Sequence, residues 1–351
     1  MGSTSTPIVL FTYPESVVGR RLQWYLALRR IPHSIHIVGP KMPRPVLARL
    51  GVHYRRIPIL AVGRDIYCDS RAIISALEAH YTATAPLGAQ DPHGRGLERV
   101  LETWAFDGGL FAWTAQLIPA DALLMLSQSW RNDRAELMGR PFEVENLKKG
   151  LPDALAQARG HLEIVEAELL GDGRNWLGGG EEPGLADVHV LWIFDWMFRP
   201  KERMGMRDAY PDMLNRERYS RTMAWAARME EVVAKAREEL GSQREIREEE
   251  AVKAVEGAEF WRDGDLVVDG SDPSGLKRGD EVDLIALDSA PKTGSSRRDV
   301  GTLEGLTVRS ATIGTTTEHG MDVRIHYQRQ NVRVAKASGG PRLAATEIPK
   351  L

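Results

Sequence analysis

Residues 57–75 constrain the fold of this chain more than any other stretch. They read as an apolar strand headed by a proline, a Gly-Arg-Asp hairpin, a second short strand, and then Asp69-Ser70 before an apolar helical repeat. Pro58 cannot donate a ladder hydrogen bond, so it favours a strand start or edge that leaves the backbone of Ile57 available. Asp69 and Ser70 suit a helix start, whose free N–H groups favour a carboxylate. The stretch predicts a small-peptide site, with plain helix capping by Asp69 and Ser70 as the alternative.

The residues on either side of this stretch fit one α/β domain. An apolar run of buried-strand length lies within residues 7–13, and residues 17–28 place apolar side chains at helical spacing. Residues 34–38 alternate as a second short strand. The predicted order over residues 7–80 is therefore β-α-β-α-β-β-α.

This order resembles the N-terminal domain of the glutathione transferases, a thioredoxin-like fold that binds glutathione. The resemblance continues through a helical region to about residue 240, where Trp176-Leu177-Gly178 and Gly184-Leu185-Ala186-Asp187 resemble the path into the buried helix of the family's all-α domain. Gly184 stands where the family usually has Ser or Thr, so only half of the capping box is present. We expect Asp187 to be structural.

Beyond residue 250 the chain becomes rich in Gly, Asp, Val and Thr, and short alternating segments are separated by turn signals. This pattern predicts a small β-barrel or sandwich. Phe260-Trp261 and residues 298–306 resemble a fungal group of transferase-like proteins that carry an extra C-terminal β domain. The expected multidomain α+β chain has three parts: a thioredoxin-like glutathione-binding domain at 1–82, an all-α transferase C-terminal domain at 92–240 and a β-rich extension at 255–340.

The charge balance, hydrophobic runs and cysteine content of the chain exclude some classes of function. The 351 residues include 46 basic and 49 acidic side chains, for a net charge of −3, so there is no electrostatic footprint for nucleic acid. No apolar run approaches the roughly 18 to 20 residues needed to span a bilayer, so no membrane association is expected. The single cysteine, Cys68, excludes an internal disulfide, and a cytoplasmic location is the simplest.

The resemblance implies a hydrogen-bond donor that turns the thiol of glutathione into a thiolate, because a thiol of pKa about 8.5 is only slightly ionised at neutral pH. The donor must lie between the first strand and the first helix. Ser16 sits at the mouth of the helix, where serine-type members place this donor, although an N-cap serine would explain the position equally well. Tyr13 is the rival donor, but its spacing to Gly19-Arg20 is one residue longer than tyrosine-type members usually show.

The resemblance also implies how the peptide is held. The backbone of Ile57 would pair with the cysteinyl part of glutathione, and Pro58 would hold that backbone in place. Asp69 with Ser70 would take the γ-glutamyl end. The weaker candidates for the glycyl carboxylate are Lys41 and Arg56.

An acceptor pocket is expected between this domain and the helices. Trp104 and Phe111 are seven residues apart, share a helical face and form the predicted hydrophobic wall. Their alternative role is in the core or at a dimer contact. His33 and His36 lack metal spacing, so no metal is expected.

The sequence thus predicts a homodimeric glutathione transferase-like enzyme with glutathione as cosubstrate. It would conjugate glutathione to a small hydrophobic or aromatic electrophile, or use it to isomerise or eliminate from that compound, in detoxification or secondary metabolism. One alternative is a glutathione-independent lyase, cyclase or isomerase on the same scaffold. Another is a non-catalytic binding or regulatory protein in which the β domain holds a partner.

Overall fold

The computed structural model of the chain describes residues 6–119, 127–138, 141–201, 205–262, 264, 266–287 and 298–337. The helices are α1 Val17–Leu28, α2 Pro45–Arg49, α3 Ser70–His80, α4 Pro92–Phe106, α5 Leu110–Ala115, α6 Gln128–Met138, α7 Val144–Glu163, α8 Leu185–Phe198, α9 Ser220–Leu240 and α10 Glu248–Glu256. The strands are β1 Ile8–Thr12, β2 Ser34–Ile37, β3 Ile59–Val62, β4 Asp65–Cys68, β5 Arg244–Glu245, β6 Glu281–Ala286, β7 Asp299–Leu306, β8 Ser310–Thr316, β9 Asp322–Gln328 and β10 Val332–Lys336. A π-helical segment, Ile164–Leu169, continues α7.

The first seven elements confirm the predicted order β-α-β-α-β-β-α. β1 is buried along its whole length, as its apolar run requires, and it pairs in parallel with β2 and antiparallel with β3. β3 and β4 form the antiparallel hairpin. The helices α1 and α3 start as predicted. Ser16 caps α1 and Asp69 caps α3 through their side-chain oxygens.

The C-terminal strands form a β-rich part, as predicted, and they also continue the N-terminal sheet, which the sequence did not predict. The ten strands of the described residues belong to one sheet, in the order β10-β6-β7-β8-β9-β4-β3-β1-β2-β5. β9 pairs in parallel with β4, from Asp65 opposite Arg324 to Cys68 opposite Tyr327. β4 would otherwise leave a row of unpaired backbone groups at the edge of the N-terminal sheet, and the C-terminal strands cover that edge. One hydrophobic core runs beneath both halves.

A buried polar cluster joins the two halves. Asp65 Oδ1 lies 2.6 Å from His326 Nε2, and Asp65 Oδ2 accepts the backbone N–H groups of Trp261 at 2.7 Å and Arg262 at 3.1 Å. His326 Nδ1 lies 3.0 Å from the Thr312 hydroxyl oxygen. Although burial opposes its ionisation, these hydrogen bonds and nearby positive charges lower the pKa of Asp65. The cluster ties the C-terminal strands to the β3–β4 hairpin.

The helical part is organised around α8, which is apolar on all sides and buried from end to end. At its start, Asp187 accepts hydrogen bonds from the N–H groups of Leu177 at 2.9 Å and Gly184 at 3.0 Å, and from the indole N–H of Trp225 at 2.9 Å. The structural reading of Asp187 is thereby confirmed, and burial raises its pKa. Within the described ranges, every helix is too short or too polar to cross a bilayer.

Candidate functional site

Three chain segments meet at one edge of the N-terminal half of the sheet. Phe11 of β1 lies opposite Ile59 of β3, and Ile59 in turn lies opposite Cys68 of β4. The loop after β1, the segment before β3 and the segment after β4 are therefore neighbours. Most of the predicted site residues lie in these three segments.

The loop after β1 presents Ser16 at the start of α1. The buried Ser16 hydroxyl oxygen accepts the backbone N–H of Gly19 at 3.0 Å, so its own hydrogen remains available for donation. A Cβ on residue 19 would lie 2.4 Å from Thr12 Oγ1 and 2.9 Å from Ser16 Oγ, which makes glycine necessary there. Ser16 is thus a helix cap, and the same geometry lets it serve as a donor.

Tyr13 lies half-buried against the core of the sheet, and the charge of Arg44 acts on it. The Arg44 side chain is only 6% exposed and donates to the carbonyl oxygens of Gly39, at 3.0 Å, and Arg55. Burial lowers the pKa of Arg44 to about 10. The sequence argument missed this buried cation, whose only local signal is its position directly before the proline that opens α2.

Lys41 and Arg56, the weaker candidates for the glycyl carboxylate, both lie near this loop. Lys41 is directed to α6, where its Nζ donates to the Ser129 hydroxyl at 2.9 Å on the surface. Arg56 is half-buried, and its positive charge helps to lower the pKa of Asp69. Arg56 therefore lies close enough to the start of α3 for its charge to act on Asp69.

Ile57 and Pro58 are both buried directly before β3, and the peptide bond between them is cis. Across the part of the chain that the structure describes, no backbone hydrogen bond uses the N–H or C=O of Ile57. This backbone therefore remains able to pair with a peptide, and its pairing with glutathione stays a prediction.

Asp69 is held by the protein's own side chains. It adopts a φ of 81°, and its carboxylate accepts hydrogen bonds from the Arg71 backbone N–H at 2.9 Å and from Arg71 Nε and Nη2 at 3.2 and 3.1 Å. The Tyr54 hydroxyl donates to it at 3.3 Å. These four donors match the roughly four acceptor sites of a carboxylate. In this arrangement Asp69 is a cap and ion-pair partner, with little capacity left for a ligand's amino group.

Ser70 belongs to a buried cluster between the N-terminal domain and the helices. Its hydroxyl accepts from Arg21 Nη1 at 2.8 Å, and Arg21 is fully buried. The same guanidinium pairs with Glu102 of α4 at 2.7 Å and donates to His189 Nδ1 of α8. The Ser70 hydroxyl oxygen thus already accepts one hydrogen bond within the protein, and the Ser70 backbone N–H remains at the first position of α3.

The cluster continues through Phe106 and Asp107 at the end of α4. Two guanidinium groups lie over the Phe106 ring, that of Arg21 at 5.0 Å and that of Arg71 at 4.7 Å from its centroid. Asp107 Oδ2 pairs with Arg71 Nη1 at 3.2 Å, and Asp107 Oδ1 accepts from the side-chain amide of Asn331. Residues from the N-terminal domain, the helices and the C-terminal strands thus meet here.

We expect the free energy of unfolding to decrease as the pH falls below about 6.5. Burial lowers the pKa of His189 from 6.5 to about 3, with Glu102 opposing and Arg21 reinforcing the shift. The unfolded chain therefore takes up the proton first, and this one group removes about 1.4 kcal/mol of stability per pH unit between the two values. Urea unfolding from pH 7 down to pH 4 measures the slope. In His189→Gln the slope should be smaller by about 1.4 kcal/mol per pH unit, the contribution of one proton. An equal slope in both proteins would show that His189 is not its source.

Trp104 and Phe111 do not share a face of one helix, because the chain breaks at Gly108 and Gly109 between α4 and α5. Trp104 donates its indole N–H to His161 Nδ1 at 3.1 Å. Phe111 packs against Trp192 and Trp196, with ring centroids at 5.2 and 6.1 Å. Both predicted wall residues are half-buried against the helical core.

Among the described residues, no three His, Cys, Asp or Glu side chains are grouped as metal ligands. The arrangement at this edge of the sheet consists instead of a buried hydroxyl at a helix start, an unused backbone pair and several guanidinium groups. Such groups suit a small peptide that carries carboxylates and a thiol.

Comparisons with known proteins bear on the fold of the chain. Residues 10–85 match the family described as glutathione S-transferase, N-terminal domain, and residues 113–238 match a domain of unknown function (DUF7962). A GST-like protein from Pseudomonas syringae shares 21% identity at a TM-score of 0.65, over 95% of this chain and 100% of that chain. The β-etherase LigF from Sphingobium sp. strain SYK-6 shares 15% identity at a TM-score of 0.52, over 66% of this chain and 99% of that chain. No curated protein sequence matches.

These matches confirm the predicted thioredoxin-like domain followed by a helical domain, within a multidomain α+β chain. The subdivision into a fungal group stays a prediction, as do the domain boundaries. Residues 1–5 and 338–340, at the outer ends of the predicted domains, lie outside the described residues.

Proposed function

We propose that this chain, which has the fold of the glutathione transferases, is an enzyme that uses glutathione on a hydrophobic electrophilic organic compound. The reaction would be conjugation, or a glutathione-dependent isomerisation or elimination. The observation that carries the proposal is the buried Ser16 hydroxyl at the start of α1, on the same sheet edge as the unused backbone of Ile57.

The proposed chemistry is thiolate formation. Lowering a thiol pKa by about two units requires nearly 3 kcal/mol of preferential stabilisation of the anion. A hydrogen bond from Ser16 to the sulfur, together with the positive end of α1, is sufficient. The buried cation of Arg44, which acts on the neighbouring Tyr13, adds positive potential in this region. Tyr13 stays the second candidate for the donor.

The proposed peptide contacts follow the same edge. The backbone of Ile57, set by Pro58, would pair with the cysteinyl residue, and the N–H groups at the start of α3 would take the γ-glutamyl carboxylate. For the glycyl carboxylate we propose Arg44 beside Lys41 and Arg56. The electrophile would lie against the aromatic side chains at the helices, with Trp104 and Phe111 as candidate contacts.

One observation favours a second candidate function. The four hydrogen bonds on Asp69 come from Arg71 and Tyr54, so the residue expected to recognise the γ-glutamyl end is already occupied. A glutathione-independent lyase, cyclase or isomerase on this scaffold would explain that arrangement.

The buried single cysteine, Cys68, agrees with the proposed cytoplasmic setting. The homodimer and a role in detoxification or secondary metabolism stay predictions.

Retention on immobilised glutathione separates the two functions. We expect the protein to bind the resin and to elute with free glutathione but not with the dipeptide Cys-Gly at the same concentration. Turnover with a chlorinated aromatic electrophile should then depend on glutathione. A protein that passes through the resin and shows no glutathione-dependent turnover would favour the second candidate.

A further inference from the structure

A second buried hydroxyl lies beside Ser16. Thr12 is the last residue of β1 and is only 1% exposed, and its side chain follows Ile8 and Leu10 onto the face of the strand that packs against α1. Within the part of the chain that the structure describes, the Thr12 hydroxyl has no hydrogen-bond partner. A valine would fill this position without leaving a buried polar group unpaired, so packing alone does not account for the hydroxyl.

The surroundings of Gly19 show how near the two hydroxyl oxygens are to each other. A Cβ on residue 19 would lie 2.4 Å from Thr12 Oγ1 and 2.9 Å from Ser16 Oγ, so both oxygens lie against the same side of this glycine. Their separation is therefore no larger than the sum of these two distances. The two oxygens are not hydrogen-bonded to each other in this structure. Bonds of this kind between catalytic groups are often long until the substrate binds, and then they shorten.

The Ser16 hydroxyl has one hydrogen-bonding position left for Thr12. A hydroxyl group has one hydrogen and two acceptor lone pairs. One lone pair of Ser16 Oγ accepts the Gly19 N–H at 3.0 Å, and the Ser16 hydrogen is the proposed donor to the sulfur. The second lone pair can accept the hydrogen of the Thr12 hydroxyl. Since hydrogen bonds in a chain polarise one another, a hydroxyl that accepts such a bond donates a stronger one.

We propose that Thr12 is a positioning residue that donates to Ser16 Oγ and so strengthens the hydrogen bond from Ser16 to the glutathione thiolate. Thr12 acts through Ser16 rather than on the sulfur, because its hydroxyl is buried against Gly19. This inference rests on the proposed use of glutathione with Ser16 as the donor. It explains why a threonine follows the apolar run of β1.

Titration of the bound thiol in Thr12→Val tests the proposal on the full-length chain with glutathione. The variant keeps the shape of the side chain and removes only the hydroxyl. We expect the pKa of the bound thiol to rise by about 0.7, the effect of one net hydrogen bond. A smaller fraction of the thiol is then ionised at acid pH. Turnover of a chlorinated aromatic electrophile should therefore fall about fivefold below the thiol pKa and match the wild type at about pH 8.5. Thr12→Ser keeps the hydroxyl and should restore the wild-type profile.

Three comparisons separate positioning from a structural effect. Thr114 in α5 is also fully buried, and its hydroxyl has no partner among the described residues, so Thr114→Val is the matched control and should leave the thiol pKa unchanged. Thr12→Val should resist urea at least as well as the wild type, because it removes an unpaired buried polar group. In a Ser16→Ala background, Thr12→Val should cause no further rise in the thiol pKa, since its effect passes through Ser16.

A wild-type thiol pKa in Thr12→Val, or an equal rise in Thr12→Val and Thr114→Val, would overturn this inference. A Thr12→Val effect of the same size with and without the Ser16 hydroxyl would also overturn it. In these cases the proposed function stands, provided that the wild type binds glutathione as a thiolate and Ser16→Ala does not. A wild type that binds no glutathione, or whose bound thiol titrates as in water, would overturn both.

Discussion

Replacing Ser16 with alanine is expected to lower kcat/KM for glutathione conjugation by a factor of about 10² to 10³, the usual cost of removing one donor to a developing or stabilised anion. The Ser16 hydroxyl oxygen accepts the Gly19 N–H as the cap of α1, and its hydrogen is available for the proposed bond to the sulfur. The loss should fall on the chemical step, because the peptide contacts of Ile57 and α3 are unchanged. Initial rates over a range of glutathione concentrations, with a chlorinated aromatic electrophile, give the value.

Capping and catalysis can be separated with further variants. Loss of the N-cap alone costs about 1 kcal/mol of stability, which thermal unfolding of Ser16→Ala would show. Ser16→Thr keeps both the cap and the hydroxyl and should restore most of the rate. Tyr13→Phe should leave the rate within a few-fold of the wild type. Full activity in Ser16→Ala together with a large loss in Tyr13→Phe would transfer the donor role to Tyr13.

Replacing Asp65 with alanine is expected to lower the free energy of unfolding by about 3 to 5 kcal/mol, because it leaves three donors without their acceptor and each unsatisfied buried donor costs about 1 to 3 kcal/mol. Asp65 accepts from His326 at 2.6 Å and from two backbone N–H groups, at Trp261 and Arg262. The variant leaves all three donors without this acceptor, and the His326 side chain is buried there. Urea unfolding followed by circular dichroism measures the loss.

The matched control for this variant is Asp322→Ala, at the first and exposed residue of β9. Its stability should equal that of the wild type. The two replacements remove the same type of side chain from the same sheet. The difference between their free energies of unfolding therefore gives the contribution of the buried cluster. Equal stability of the Asp65 and Asp322 variants would show that the C-terminal strands are held by other contacts.

The local parts of this fold could be predicted from the sequence. The apolar run of β1, Pro58 before β3 and the caps Ser16 and Asp69 each act on residues within a few positions, and all were confirmed. Asp187 was predicted for the same reason, since one of its bonds runs to Gly184 three residues away. Patterns of this kind depend only on residues that are close in sequence, so the local structure can be predicted from them.

The arrangement of the C-terminal strands could not be read in the same way. Alternation along residues 322–328 predicts a strand with one buried face, but it carries no information on which edge the strand will join. The prediction of a small β-barrel or sandwich therefore did not say which strand of the N-terminal sheet β9 would join. The strand it pairs with, β4, lies more than 250 positions earlier in the chain.

The buried site residues were missed for a related reason. Arg21 reaches Glu102 and His189, which are 81 and 168 positions away, and Asn331 reaches Asp107 across 224 positions. Short basic pairs and single polar residues in turns give no local signal of such partners. The prediction that Trp104 and Phe111 share a helical face was wrong for a local reason. It extended helical spacing across Gly108 and Gly109, where the helix ends.

The most direct measurement is the ionisation of glutathione on the protein, followed by the ultraviolet absorbance of the thiolate as the pH is raised. If the Ser16 hydroxyl and the start of α1 stabilise the anion, the bound thiol should titrate about two pH units below free glutathione in the wild type. In Ser16→Ala it should titrate near the free value. A wild-type complex whose thiol titrates like glutathione in water, or a protein that binds no glutathione, would contradict the account.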